Sequence, residues 1–372
     1  MRKFKHYIMS LCIGSMLTSC ILENGGTSST EGESATLCVE VARADTAASV
    51  TEGNAVASSA STSAVKGVTA TRTAVGLRSF SEDNVADLHV AVYNSEGTLT
   101  GHAYSAGGSV TLTTRSGEDC TVYALVNTGN EDLTIPATQS AFKALTTEDL
   151  TDVDDIKVND NLLMSGSLTT DIAAGDNTLT EALPVSRLAA RNILNITCGE
   201  GLSLTGYAIK NLPVRSWYVA RPNTAETDED DAATGDDAVD PDVSGDWLDT
   251  GTLSGTDIAT GSTPQYAFTF YQYENRRGGR IAVSGTTGDA TDQTQKATYA
   301  PERATCVELY VNASGTSITY KLYLGANAYT NYNVKRNGSY TYNLSIGATG
   351  MSISSVSIEA WTEVSEGSTI EM

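Results

Sequence analysis

Leu88-His-Val-Ala-Val-Tyr-Asn-Ser-Glu-Gly-Thr-Leu99 decides the architecture of this chain. Leu88, Val90 and Val92 point one way, and His89, Ala91 and Tyr93 the other, which is the period-two pattern of a strand. Asn94-Ser-Glu-Gly97 supplies a turn, and Leu99 opens the returning strand. The same reading extends outward in both directions. Upstream, Leu37, Val39 and Val41 alternate with Thr36, Cys38 and Glu40, which predicts an isolated strand over 35–41. Downstream, short strands are predicted over 109–113, 121–127, 162–168, 177–183 and 188–197, and then over 202–212, 266–273, 280–283, 307–313, 317–324, 340–346 and 355–361. Helix is expected only at 140–145 or at 147–153, where Thr146 or Thr147 precedes Glu148-Asp149 as an N-cap with acid in the first turn. Many short strands parted by Gly, Asn and Ser turns predict an all-β chain of two β-sandwich domains. The scarcity of helix argues against parallel-sheet α/β enzymes.

The N-terminus is of another kind. Arg2, Lys3 and Lys5 precede an apolar run over 7–17, and Leu17-Thr-Ser-Cys20 follows. A basic head, a short apolar stretch and small residues before a cut describe an export signal, too short for a permanent membrane span. Leu-x-small before a cysteine resembles the bacterial lipobox. Residues 1–19 are therefore expected to be removed, and Cys20 to carry the lipid (diacylglycerol and palmitate) of a lipoprotein that works outside the cytoplasm. Each buried methylene contributes about 0.8 kcal/mol, so several acyl chains hold where one would not.

Net charge is −22, with 45 acidic against 23 basic residues, which disfavours nucleic acid and anionic lipid surfaces as partners. Cys38, Cys120, Cys198 and Cys306 are widely spaced and lie in strand-like stretches, so they read as small buried hydrophobes; an exterior location permits a disulfide without requiring one. Beyond the signal the histidines are His89 and His102, and neither sits in a catalytic or metal motif. His89 is expected on the outward face of its strand. No carboxylate pair is framed by an apolar pocket, so the chain reads as non-enzymatic and without a cofactor. Asp240-Pro-Asp242-Val-Ser-Gly-Asp246 has the spacing that opens a calcium loop, but its twelfth position is Gly251 instead of a bidentate acid. That leaves a weak calcium loop at Asp240, Asp242 and Asp246 as the alternative reading and no metal as the main one.

Two segments lack the apolar bulk of strands. Residues 44–79 are nearly all small, with lone Lys66, Arg72 and Arg78, and Arg43 just before them. Such a segment suits a trypsin-like protease, which makes Arg43, Arg72 and Arg78 candidate processing sites; the plainer reading is solubilising charge in a linker. The stretch 226–249 holds eleven acidic residues, a charge block expected to be a solvated insertion.

Several stretches together resemble the Bacteroidales fimbrillins, the FimA-type pilins. They are Leu88-His-Val-Ala-Val-Tyr93 with Asn-Ser-Glu-Gly97, Val122-Tyr-Ala-Leu-Val-Asn127, Leu163-Met-Ser-Gly166, Val185-Ser-Arg-Leu-Ala-Ala-Arg191, Phe270-Tyr-Gln-Tyr-Glu-Asn-Arg276, Tyr323-Leu-Gly325, Asn333-Val-Lys-Arg-Asn337 and Glu359-Ala-Trp361. The resemblance implies two transthyretin-like sandwiches carried to the outer membrane as a lipoprotein. It also implies that an arginine-directed protease removes the acylated segment with the first strand, and that a strand of a neighbouring subunit fills the resulting groove. Strand 35–41 would then be the plug. Residues 352–372, with Ile353, Val356, Ile358 and Trp361, would be the donor.

The expected organisation is a signal at 1–19, a lipidated tether with plug and cleavable loop at 20–84, a first sandwich at 85–184 and a second at 185–372. The expected function is a structural subunit of a surface fimbria that polymerises by strand addition with other fimbrial subunits and supports adhesion. The alternative is a fimbrial anchor or tip subunit, or a lipid-anchored module that captures host or bacterial glycans or proteins without polymerising, with Trp217, Tyr218 and Trp247 as its platform.

Overall fold

The structure is a computed structural model, and it describes residues 32–43, 82–220, 247–254, 265–278, 293–347 and 350–360. The predicted strand at 280–283 and most of the acidic insertion lie outside the described residues.

The first sandwich contains β1 (Ser34–Arg43), β2 (Leu88–Tyr93), β3 (Leu99–Ser105), β4 (Ser109–Arg115), β5 (Gly117–Val126), β6 (Lys157–Val158), β7 (Asn161–Leu162), β8 (Met164–Ile172), β9 (Gly175–Thr178) and β10 (Leu183–Arg187). Strands β3-β2-β5-β8-β10 form one layer, and β4-β1-β9 form the other. The last three residues of β1 cross over to pair with β10. Between the layers Leu37 and Val39 meet Val90, Val122, Met164, Leu183 and Val185 in one apolar core. The alternation of β4, in which Val110, Leu112 and Thr114 are buried and their neighbours exposed, is the half-buried pattern expected of a strand with one face to solvent.

The second sandwich pairs sheet β16-β11-β19-β20 with sheet β15-β12-β17-β18. Its strands are β11 (Ala189–Cys198), β12 (Leu202–Lys210), β13 (Leu212–Pro213), β14 (Trp247–Leu248), β15 (Leu253–Ser254), β16 (Tyr266–Tyr273), β17 (Cys306–Ala313), β18 (Thr316–Tyr323), β19 (Gly338–Gly347) and β20 (Gly350–Ala360). Its core holds Leu194, Ile196, Ile209, Val307, Leu309, Leu322, Tyr342 and Leu344. The expected domain border at 184/185 falls inside β10, which belongs to the first sandwich; β11 starts the second.

Among the described residues, helix is confined to α1 (Gln139–Lys143), a one-turn 3-10 helix at 153–156 and α2 (Gln293–Thr298). The helix expected at 140–145 is present, but its cap is Thr138, whose side chain accepts from Ala141 N. Of the alternative at 147–153, only Val153 is helical, as the first residue of the 3-10 turn. The backbone before it is drawn to the second sandwich, with Thr147 N donating to Ser216 O and Leu150 N donating to Val214 O, both at 2.8 Å. The stretch predicted as one strand over 177–183 is split between β9 and β10.

Strand β2 is buried along its whole length, which corrects the expectation that His89 faces outward. The side of β2 that carries Ala91 and Tyr93 is covered by Phe142, Leu150, Ile156 and Leu163, together with Tyr218 and Tyr273 of the second sandwich. This third cluster forms the seam between the two sandwiches. Gly166 on β8 permits the close layering at β10, since a Cβ there would collide with the main-chain oxygen of Pro184.

Candidate assembly interface

The predicted plug is the middle strand of its layer. Residues 34–40 of β1 pair antiparallel with β4 in seven successive rungs, from Ser34↔Arg115 to Glu40↔Ser109. On its other edge, Ala35 to Cys38 pair parallel with β9, and Val41 to Arg43 with β10. Alternation sends Ala35, Leu37 and Val39 into the core and leaves Cys38 half-buried on the opposite face. Polar ties reinforce both edges. Thr36 Oγ1 donates to Asp176, Asn177 Nδ2 donates to Thr36 O at 3.2 Å, and Arg115 Nη1 donates to Gly32 O at 3.0 Å. Withdrawing β1 would strip β4 and β9 of their shared partner and expose the apolar faces of β2, β5 and β10, which is the chemistry of a strand-accepting slot.

The candidate processing residue Arg43 is the last rung of β1, opposite Val185. Arg72 and Arg78, Cys20, the acids Asp240, Asp242 and Asp246, and Trp361 lie outside the described residues.

The candidate donor is engaged within its own domain. Strand β20 pairs antiparallel with β19 from Gly338↔Ala360 to Gly347↔Gly350, with one bulge near Asn343. Ile353, Val356 and Ile358 are partly buried against the second core. The strand is longer than predicted, starting at Gly350 instead of residue 355. It is also the outermost strand of its sheet, so one edge of its backbone carries no partner strand among the described residues.

The chain resumes at the seam after residues 44–81. Glu82 and Asp83 meet a cluster that sequence reading did not single out. Arg187 at the end of β10 is fully buried; it ion-pairs with Asp83, and its Nε donates to Glu82 O at 3.0 Å. Arg191 on β11 bonds Glu82 Oε2 at 2.7 Å, and the Tyr271 hydroxyl on β16 donates to the other carboxylate oxygen. Burial, followed by the hydrogen bond to Glu82, holds the Tyr271 hydroxyl well above its ordinary range. Two arginines at strand positions, 187 and 191, in an acid-rich chain were the available signal.

The other polar residues considered from sequence have structural surroundings. His89 Nε2 donates to Asn130 O at 2.8 Å, so its Nδ1 accepts from His102 Nε2 at 3.1 Å. Burial, and then the neighbouring His89, push the His102 imidazole below its ordinary value. The four cysteines described are free thiols, three of them buried, and burial pushes the Cys306 thiol up to about 12. Tyr218 is buried in the seam, which removes it from a surface platform. The Trp247 ring lies 4.7 Å from the Arg277 guanidinium and 5.4 Å from that of Arg303. No group of three or more His, Cys, Asp and Glu converges among the described residues.

Residues 55–232 match the family model of the major fimbrial subunit protein, FimA. Over those 178 of its 372 residues the chain carries a FimA-type fimbrial subunit region. Residues 270–344, which run from β16 into β19, match a domain of unknown function, DUF4906. No curated protein sequence matches the chain. Among solved structures, a candidate cell adhesion protein from Parabacteroides distasonis ATCC 8503 is 15% identical, with a TM-score of 0.56, and the match covers 91% of this chain and 100% of that one. The tip fimbrial protein Mfa3 from Porphyromonas gingivalis, with a C-terminal truncation, is 16% identical at a TM-score of 0.50 and covers 88% and 100%. A candidate cell adhesion protein from Bacteroides eggerthii DSM 20697 is 15% identical at 0.50 and covers 91% and 98%. At these identities the likeness is one of fold, and it extends over nearly the whole length of the chain.

Proposed function

We propose that this fimbrial subunit polymerises by strand exchange at the β1 slot. The protein reaches the outer surface tethered through acylated Cys20, with β1 filling its own first sandwich. A protease that cuts after Arg43, Arg72 or Arg78 then detaches the lipid-bearing segment. The plug leaves, and an extended segment of the neighbouring subunit takes its place between β4 and β9. The observation that carries this reading is the position of β1. It is the middle strand of three, paired on both edges, with Ala35, Leu37 and Val39 buried in the core and Val41 partly buried against it. A replacement needs only small-to-medium apolar residues at alternate positions, and main-chain bonds provide the rest of the affinity. The C-terminal segment remains the candidate donor. For residues 352–360 to serve, β20 must first peel from β19, while residues 361–372 would extend the donor beyond that ladder. The partners are other fimbrial subunits, and no catalysis or cofactor is assigned.

The test is to treat surface-displayed or purified protein with limiting trypsin and look for heat- and SDS-resistant ladders on a gel. Ladders that disappear when the last twenty residues are deleted support polymerisation through the C-terminal donor. Monomer throughout, with the N-terminal fragment released, defeats it.

A further inference from the structure

The seam cluster has a property that the strand-exchange reading does not use. Arg187 is a fully buried guanidinium that ion-pairs with Asp83. It also donates to Glu82 O at 3.0 Å and to Asn337 Oδ1 at 3.2 Å. Glu82 is held in turn by Arg191 and Tyr271. The two acids thus join the end of β10 to β11 and β16, strands of both sandwiches, and Arg187 itself reaches Asn337 just before β19. They also lie within a few residues of the point where Arg43 ends β1 against Val185.

We propose that Glu82 and Asp83 are a carboxylate latch that sets the first residues a processed subunit must retain, and that keeps β10 and the domain seam in place once β1 has gone. Removing the carboxylate that faces a buried cation is strongly destabilising, so a chain trimmed past Asp83 would take that partner from Arg187 inside the protein. The latch therefore marks the start of an obligatory body. It also explains how β10, which loses Val41 to Arg43 as partners on one edge, stays anchored while the slot waits for its new strand. The role in the opened slot rests on the strand-exchange reading; the trimming limit does not.

The experiment uses the full chain and a protease of broad specificity such as thermolysin under native conditions, with mass spectrometry to locate the first residue of the resistant body. The wild type is expected to yield a body that starts at or before Glu82. The E82Q/D83N double variant should either be trimmed beyond residue 83 or lose the resistant body. Its amide exchange over 185–191 should rise on the order of tenfold or more relative to β17 as an internal reference. The conservative D83E change should restore the wild-type start. A wild-type body that is resistant yet starts beyond Asp83 overturns the proposal. So does a double variant with the same start and the same local exchange as the wild type. A wild-type chain that stops at Glu82 but never forms ladders would defeat strand exchange and leave the trimming limit standing.

Discussion

Replacing Leu37 by alanine probes the plug where its hold is concentrated. Leu37 is 1% exposed and sits at the centre of the seven-rung ladder with β4, opposite Leu112, with Asn177 of β9 on its other edge. Deleting a buried leucine side chain to alanine costs about 2–5 kcal/mol, through lost transfer energy and the cavity left behind. Taking about 3 kcal/mol, and a factor of ten for every 1.4 kcal/mol, the strand should be held on the order of a hundredfold less tightly. In the intact chain this appears only as lower stability, because β1 is covalently attached. After a cut between 44 and 81 it becomes an affinity. Wild type and Leu37→Ala would be nicked with limiting trypsin and passed over a gel-filtration column in native buffer, and the body fraction assayed by mass spectrometry for the fragment carrying 34–43. Wild type should retain the fragment and Leu37→Ala should shed it. Cys38→Ser, on the opposite face, should behave like wild type. Equal retention by Leu37→Ala and wild type would refute the argument that the buried face of β1 holds it in the slot.

Three further outcomes follow from individual residues of the two sandwiches. Burial lowers the Lys296 ammonium from 10.5 to about 7, so the unfolded chain binds that proton more tightly; stability should rise with pH from 7 towards 10.5, with the penalty complete below 7. Denaturant unfolding of Lys296→Met from pH 7 to 9 should lack this rise, and at pH 7 the variant should be a few kcal/mol more stable than wild type. His102 is likewise depressed below 6.5, so wild-type stability should fall as pH drops below 6.5, and His102→Asn should flatten that slope in thermal melts between pH 6.5 and 5. Gly166→Ala should cost about 1–3 kcal/mol in chemical denaturation, because its methyl must displace the main chain at Pro184.

The local pattern carried most of the strands. Period-two alternation found β2, β4, β12, β17, β18 and β19 because each has one face decided by its own sandwich core. It failed where the second face is decided by distant chain. His89 alternates like an exposed residue, yet the segment around Asn130, the stacked ring of His102 and the tilted ring of Tyr104 close over it. Residues 147–153 carry a cap signal for a helix, but backbone bonds to 214 and 216 compete and win. The plug was legible as an isolated alternating strand; its place between β4 and β9 was not, since strand order depends on pairings far apart in sequence. The latch was hidden for the same reason, because Arg187 and Asp83 are ordinary residues until the fold brings them together.

The parallel pairing of β11 with β19 has a consequence for the order of events in biogenesis. Arg191 bonds Ser339 across a separation of 148 residues, and all eight rungs of that ladder span comparable distances. Forming such contacts requires closing a very long loop, which is entropically slow. The first sandwich can assemble as soon as Arg187 has emerged. The second cannot close until nearly the whole chain is available, so for much of its synthesis or passage across a membrane β11 and β12 wait as unpaired apolar edges. That interval is when the subunit is most prone to aggregate, and when a holding chaperone would matter most.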